Sequence, residues 1–204
     1  MKKTRGFLLA AGIVLAMAFT LSCSSDDGGG GGSCTNFKTV TIGTQTWMAE
    51  NLNCDVPNSR CGNESTGLLT ENNTDCKKYG RLYDWETATT ACPSGWHLPS
   101  DAEWTTLTNY VGIDSAGIKL KAKSGWDAYE NSNGTDEFGF SALPGGSGVS
   151  TGTFYEFGLY GHWWSATPTS AYHAYHRYIE NVYSGVFREI ENRLFLYSVR
   201  CVKD

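Results

Sequence analysis

Apolar and polar residues alternate at the start of the folded text. In "TVTIGTQTWM", Val40 and Ile42 stand between Thr39, Thr41 and Gly43. Period two sends successive side chains to opposite faces, which predicts a strand over 39–42. Gly43-Thr44 then reads as a turn and Gln45–Met48 as the return strand. From Asn53 to Asp75 the text is polar, Asn-rich and without period, and a long loop is expected. A helical period follows. Asp84–Ala91 suits a short helix. Ser100 with Glu103 three residues on reads as a capping box, after which Trp104, Leu107 and Val111 share one face and Gly112 stops the helix. Ala116–Ala122 adds one or two turns. Beyond Gly125 glycine is frequent and the apolar runs are short, as in "GTFYEFG", "HWWSAT", "YHRYIE" and "SVRCVK", which predicts short strands and loops. A hairpin, then helices, then strands, with no internal repeat, points to an α+β fold.

The N-terminus changes the picture of where this chain works. Lys2, Lys3 and Arg5 precede an apolar run from Gly6 to Leu21, and Ser22-Cys23 follows. This pattern predicts an export signal over 1–22, cleaved before Cys23, whose sulfur then carries a lipid. The alternative is an uncleaved membrane anchor, although the run is short of the ~20 residues a spanning helix needs. Residues 23–33, "CSSDDGGGGGS", read as a lipidated Cys and a flexible tether, because five consecutive glycines resist ordering. Asp26 and Asp27 resemble sorting signals for the outer face of the outer membrane, so the expected location is an outer-membrane lipoprotein exposed at the cell surface. The folded domain is 34–204. Without Lys2, Lys3 and Arg5 the 16 basic residues fall to 13 against 21 acidic ones, a net charge of −8. No basic stripe remains, so nucleic acid is not an expected partner.

Seven cysteines are present. Cys23 apart, Cys34, Cys54, Cys61, Cys76, Cys92 and Cys201 form an even set, which in an exported protein implies disulfides. Composition and spacing do not choose among their pairings. The absence of any CxxC argues against a zinc ribbon or a thioredoxin-like redox pair.

Candidate chemistry concentrates near the C-terminus, in "AYHAYHRYIENVY" over 171–183. His173-x-x-His176 with Glu180 could be read as zinc ligands. It lacks the Glu of HExxH and no helix is expected there, so no metal is assigned. Asp136 and Glu137 in "GTDEFGF" are read as shaping a turn, with a structural Ca²⁺ as the alternative; no other cofactor is expected. Ser165 and Ser198 lack a glycine elbow. With no catalytic constellation, the chain is read as a non-enzyme. Trp47, Trp85, Trp96, Trp104, Trp126 and Trp163 are read as core. Trp164 is ambiguous, since strand neighbours face opposite ways. Tyr offers large contact area for little conformational entropy, which favours a binding face. The competing reading makes the alternate residues sheet core, yet Tyr172, Tyr178 and Tyr183 do not share one parity.

The phrases "TVTIGTQTWMAENLN", "YGRLYDW", "ACPSGWHLPSDAEW", "GTDEFGFSALPGG", "WWSAT" and "SVRCVKD" resemble the Fibrobacter succinogenes major paralogous domain of exported lipoproteins. The resemblance spans Phe37–Asp204. It implies a C-type lectin-like fold in the branch that includes formylglycine-generating enzymes: two helices, a small twisted and mostly antiparallel sheet, long loops, and terminal strands lying together. It also implies the pairs Cys92–Cys201, Cys61–Cys76 and Cys34–Cys54. A bonded Cys201 is not the reactive thiol of that enzyme branch. In some lectin-like relatives the segment before the last strand is varied by diversity-generating retroelements, and Pro168–Tyr197 resembles such a segment. Ala174, Arg177, Val186 and Arg188 would be scaffold. Tyr172, His173, Tyr175, His176, Tyr178, Glu180, Asn181, Tyr183, Phe187, Glu189, Glu191 and Asn192 would be the variable, ligand-contacting set, with Trp164 beside them. Arg193 and Leu196 depart from the family's usual Lys and Gly. The implied function is a lipid-tethered, adhesin-like module for a protein or glycan ligand. A structural envelope or pilus-type subunit and an enzyme of the formylglycine-generating type are the alternatives.

Overall fold

The computed structural model describes residues 34–69, 74–128 and 132–204. The export signal, Cys23 and the tether lie outside these residues. The predicted hairpin forms: β1 (Thr39–Ile42) pairs antiparallel with β2 (Gln45–Met48) through a turn in which Gly43 adopts φ 61°. The polar stretch after it is a loop with isolated bridges, ending in an unanticipated helix α1 (Thr74–Tyr79). Then come β3 (Leu82–Tyr83), α2 (Trp85–Ala91), β4 (Trp96–His97) and α3 (Asp101–Val111). The capping box of α3 is present. The Ser100 hydroxyl accepts from the Glu103 amide at 3.2 Å and the Glu103 carboxylate accepts from the Ser100 amide at 2.8 Å. Gly112 closes the helix at φ 98°, a conformation that favours glycine. A further turn forms α4 (Ala116–Leu120).

The remaining chain is strands: β5 (Ser147–Val149), β6 (Phe154–Tyr155), β7 (Tyr160–Pro168), β8 (His173–Glu180), β9 (Phe187–Asn192), β10 (Phe195–Ser198) and β11 (Val202–Lys203). The fold is therefore mixed α and β, with strands dominant. Two details differ from expectation. The described residues hold four α-helices rather than the two that the resemblance implies; α4 is the turn expected at Ala116–Ala122, whereas α1 is a short piece without a periodic signature. There are also two sheets rather than one. The smaller runs β1-β2-β11-β4, so the first and last strands do lie together; the larger runs β6-β5-β10-β7-β8-β9, with β3 also on β10. Pairing is antiparallel except between β10 and β7.

Between sheets and helices lies a core rich in indoles. Trp104 on α3 packs on Trp47 of β2 at 4.8 Å between ring centroids and on Trp163 of β7 at 6.3 Å. Trp85 and Trp126 are buried as well. Trp96, expected in the core, is only half-buried, because its strand lies at the sheet edge against Phe37. Disulfides join Cys34–Cys54, Cys61–Cys76 and Cys92–Cys201, with Cα atoms 5.4, 5.6 and 6.0 Å apart. These are the pairs that the resemblance implies.

Candidate binding face

Strands β7, β8 and β9 build the surface that the C-terminal tyrosines suggested. Their register sorts the side chains. Tyr160 lies opposite Glu180, His162 opposite Tyr178, and Trp164 opposite His176. On the other edge, Tyr178 lies opposite Phe187, His176 opposite Glu189, and Ala174 opposite Glu191. With period two, all of these share one face. The opposite face carries Trp163, Arg177 and Ile179 and packs on α3. There the Arg177 guanidinium donates to the Asp101 carboxylate at 2.7 Å and to the Thr105 hydroxyl at 2.9 Å. Arg188 reaches the same carboxylate and stacks over the Tyr175 ring at 3.7 Å.

The expected contact residues therefore divide. Trp164, 0 % exposed, is core: its indole N–H donates to the Tyr83 carbonyl at 2.9 Å and its ring packs on Tyr197. His176 and Asn181 are also buried, beneath the surface rather than on it. Tyr175, His173 and Asn192 issue from the α3 side of the sheet, away from Tyr178. Tyr172, 74 % exposed, precedes β8. What remains on one open face is Tyr178, Glu180, Phe187, Glu189 and Glu191, with Tyr183 joining from the β8–β9 turn. Tyr178 and Phe187 are stacked at 5.1 Å, and Tyr183 meets Phe187 edge-on at 5.7 Å. Tyr160, His162 and Glu156 complete the face; the sequence draws notice to His162 only as a histidine beside the His173-x-x-His176 pair, and Tyr160 and Glu156 lie before the segment that suggested a binding face. Their signal was the alternation in "YGHWW".

Beneath the open rings lies a stack of His162, His176 and Tyr197. His162 is parallel to Tyr197 at 4.8 Å, and His176 sits 4.7 Å from Tyr197 and 5.5 Å from His162. His162 Nε2 donates to the Glu156 carboxylate at 3.2 Å, a bond that holds the Glu156 carboxyl below its usual range. His162 Nδ1 and both ring nitrogens of His176 are buried without a hydrogen-bond partner. Burial raises the Tyr160 phenol to about 12, helped by a hydrogen bond to Glu180. Burial also raises Tyr178, and the Glu189 and Glu180 charges add to it.

Burial drives His176 down to about 3, with the neighbouring His162 and Arg177 acting the same way. Unfolded, the same ring titrates near ~6.5. Between these values the unfolded chain binds a proton that the folded chain does not. This contribution to stability is whole above ~6.5 and is lost as pH falls toward 3. His176→Phe is therefore expected to lose less stability than the wild type between pH 7 and pH 4. Denaturant midpoints at the two values measure this, and equal losses in both proteins would refute it.

The other candidate sites resolve simply. His173 and His176 lie on opposite faces of β8, so HxxH does not converge on one ion. Among the described residues no group of three His, Cys, Asp or Glu could hold a metal. Asp136 shapes a turn, its carboxylate accepting from the Ser141 amide at 2.7 Å and hydroxyl at 2.6 Å. A separate cleft of about 640 Å³, lined by Lys38, Glu50, Asn53, Lys77 and Lys78 among others, opens beside β1 and α1, where no sequence pattern signalled it. No helix among the described residues is long and apolar enough to cross a membrane.

Neither curated proteins nor solved structures yield a match to this chain. A family profile does match, over residues 40–203, which takes in both sheets and the whole candidate face. The chain belongs to the Fibrobacter succinogenes major domain family.

Proposed function

We propose that the protein is an exported recognition module, held to the outer face of the cell envelope by a lipid on Cys23 and set off from it by the 23–33 tether. In this reading residues 1–22 are the cleaved signal, and domain 34–204 is a lectin-like scaffold that presents a protein- or glycan-binding face. The adjacency of β1–β2 with β11 and the bond between α2 and the last strands support the lectin-like reading. The observation that carries the recognition role is the face itself: Tyr178, Tyr183 and Phe187 stand in ring contact on an open sheet surface, above a fixed base. Aromatic side chains of this kind anchor protein interfaces and stack on sugars. Diversification of 168–197 fits a division of labour in which Ala174 and Arg177 are buried scaffold while their neighbours contact ligand.

The test is to screen the full chain, purified in detergent, on a glycan array and against a displayed random-peptide library. Selected ligands are then measured against Tyr178→Ala/Tyr183→Ala/Phe187→Ala and against Tyr172→Ala/Tyr175→Ala. The triple variant is expected to lose at least ~10-fold in affinity, as hot-spot aromatics do, and the double variant little. Ligands that bind the triple variant as tightly as wild type would place recognition elsewhere.

A further inference from the structure

The chemistry of this face is one-sided. Four carboxylates, Glu156, Glu180, Glu189 and Glu191, stand around the aromatic rings, and their charges converge on the phenols of Tyr160, Tyr178 and Tyr197. Apart from the His162–Glu156 contact, no ion pair among the described residues answers them. Arg177 and Arg188 point to the α3 side and are held by Asp101. The Lys121 amine, on which the Glu180 charge acts, is buried and donates to the Asn181 and Tyr183 carbonyls at 2.9 and 3.0 Å. Arg193 at the margin is tied to Glu86 at 3.1 Å and to the Ser170 carbonyl at 2.7 Å.

The floor adds a second, independent sign. His176, 2 % exposed, issues from this face with neither ring nitrogen partnered. His162 Nδ1 is also unpartnered, and in the neutral ring it can only accept, since Nε2 donates to Glu156. Buried polar atoms are ordinarily satisfied. The unpartnered nitrogens leave hydrogen-bonding capacity under the rings, and the surrounding carboxylates favour a positively charged group to fill it.

Resting on the recognition role proposed above, we propose that this face docks a basic segment of a partner protein. Its Lys and Arg side chains lie over the Tyr178, Phe187 and Tyr183 rings and pair with Glu180, Glu189 and Glu191. Cation–π contact over exposed rings and several carboxylates within one Debye length act together here. The molecule already uses the first of these contacts, with Arg193 stacked over Trp85 at 3.9 Å. A neutral glycan could use the rings but leaves the carboxylates without counter-charge, and an acidic polymer is repelled.

The test is fluorescence polarisation of labelled nona-arginine and nona-lysine peptides with the full chain in detergent at low salt, beside a nona-glutamate peptide and neutral oligosaccharides. The expected result is saturable binding of the basic peptides, weakening at least ~10-fold from 50 to 500 mM salt. Glu180→Gln/Glu189→Gln/Glu191→Gln should weaken it at least ~10-fold more than Glu50→Gln/Asp114→Asn/Glu137→Gln, which removes the same charge elsewhere. Equal losses in the two triple variants, or no binding of the basic peptides by wild type, would overturn the inference. Neutral sugars bound through Tyr178, Tyr183 and Phe187 in the absence of basic-peptide binding would overturn it too, while leaving the recognition role standing.

Discussion

Replacing Cys92 and Cys201 together by Ala is expected to cost ~4–5 kcal/mol of unfolding free energy, the chain-entropy value for a closed loop of this length. The bond spans 109 residues, against 15 for Cys61–Cys76, for which the same relation gives ~3 kcal/mol. Its place in the fold reinforces the argument from length. Cys92 caps α2, and Cys201 lies fully buried between β10 and β11. The Cys201 carbonyl also accepts from the Met48 amide at 3.0 Å, so the bond ties α2 to the strand that holds β2. Without it, the unfolded chain gains freedom and the native chain loses the disulfide that joins α2 to the segment between β10 and β11. The melting temperature should fall on the order of 10–15 °C for a domain of this size. Guanidinium titrations of the wild type and of the two double-Ala variants measure the order. If loss of Cys61–Cys76 costs as much as loss of Cys92–Cys201, loop length is not what sets the stability of this fold.

Local chemistry was legible from the residues alone. Ser100 and Glu103 announce a helix start because a capping box is complete within four residues, and the Val40–Ile42 alternation announces a strand within three. The same holds for Gly112, where the stop lies in one backbone conformation. The resemblance to a family supplied the disulfide pairs, which spacing alone left open.

What could not be read was everything that depends on register. Tyr175 and Tyr178 look equivalent in the sequence, yet three residues apart in β8 they face opposite sides, one toward Arg188 and Asp101, the other toward His162 and Phe187. Trp164 looked like a surface candidate beside core Trp163. Both are buried, because α2 and Tyr83 cover one side of β7 and α3 covers the other. The partners that decide this lie about eighty positions away in the chain, where no local pattern reaches. Tyr183 reaches the open face from a turn rather than from β8, which is how tyrosines of mixed parity come to share it.

Asn51 is the clearest case of a residue whose weight is invisible in sequence, and Asn51→Leu is expected to destabilise the fold by ~3–5 kcal/mol, the range for leaving a buried charge without its partner. The Asn51 carbonyl oxygen accepts from the Arg200 guanidinium at 2.6 and 3.0 Å and from the Trp163 indole at 2.8 Å, while its amide donates to the Tyr79 carbonyl at 2.8 Å. Arg200 is 0 % exposed and forms no ion pair within contact distance among the described residues; its other donors go to the Phe140 and Met48 carbonyls. Burial lowers the guanidinium to about 9, so it still carries its charge at neutral pH. Leu at 51 leaves that charge and the indole N–H facing a methyl group. Arg200→Met removes the charge instead and leaves Asn51 bonded to Trp163, so it should cost less, ~1–2 kcal/mol. The double variant should then cost clearly less than the sum of the two, with a coupling of ~1–3 kcal/mol. Denaturant unfolding of the four proteins closes the cycle, and simple additivity would mean that Asn51 does not stabilise the buried cation. The consequence reaches the candidate face. Trp163 is the β7 residue between His162 and Trp164, so the bond from its indole to Asn51 fixes the strand on which His162 and Tyr160 are mounted. Asn51→Leu should therefore raise hydrogen exchange of β7 amides more than Arg200→Met does, although both substitutions lie on the far side of the sheet from the rings.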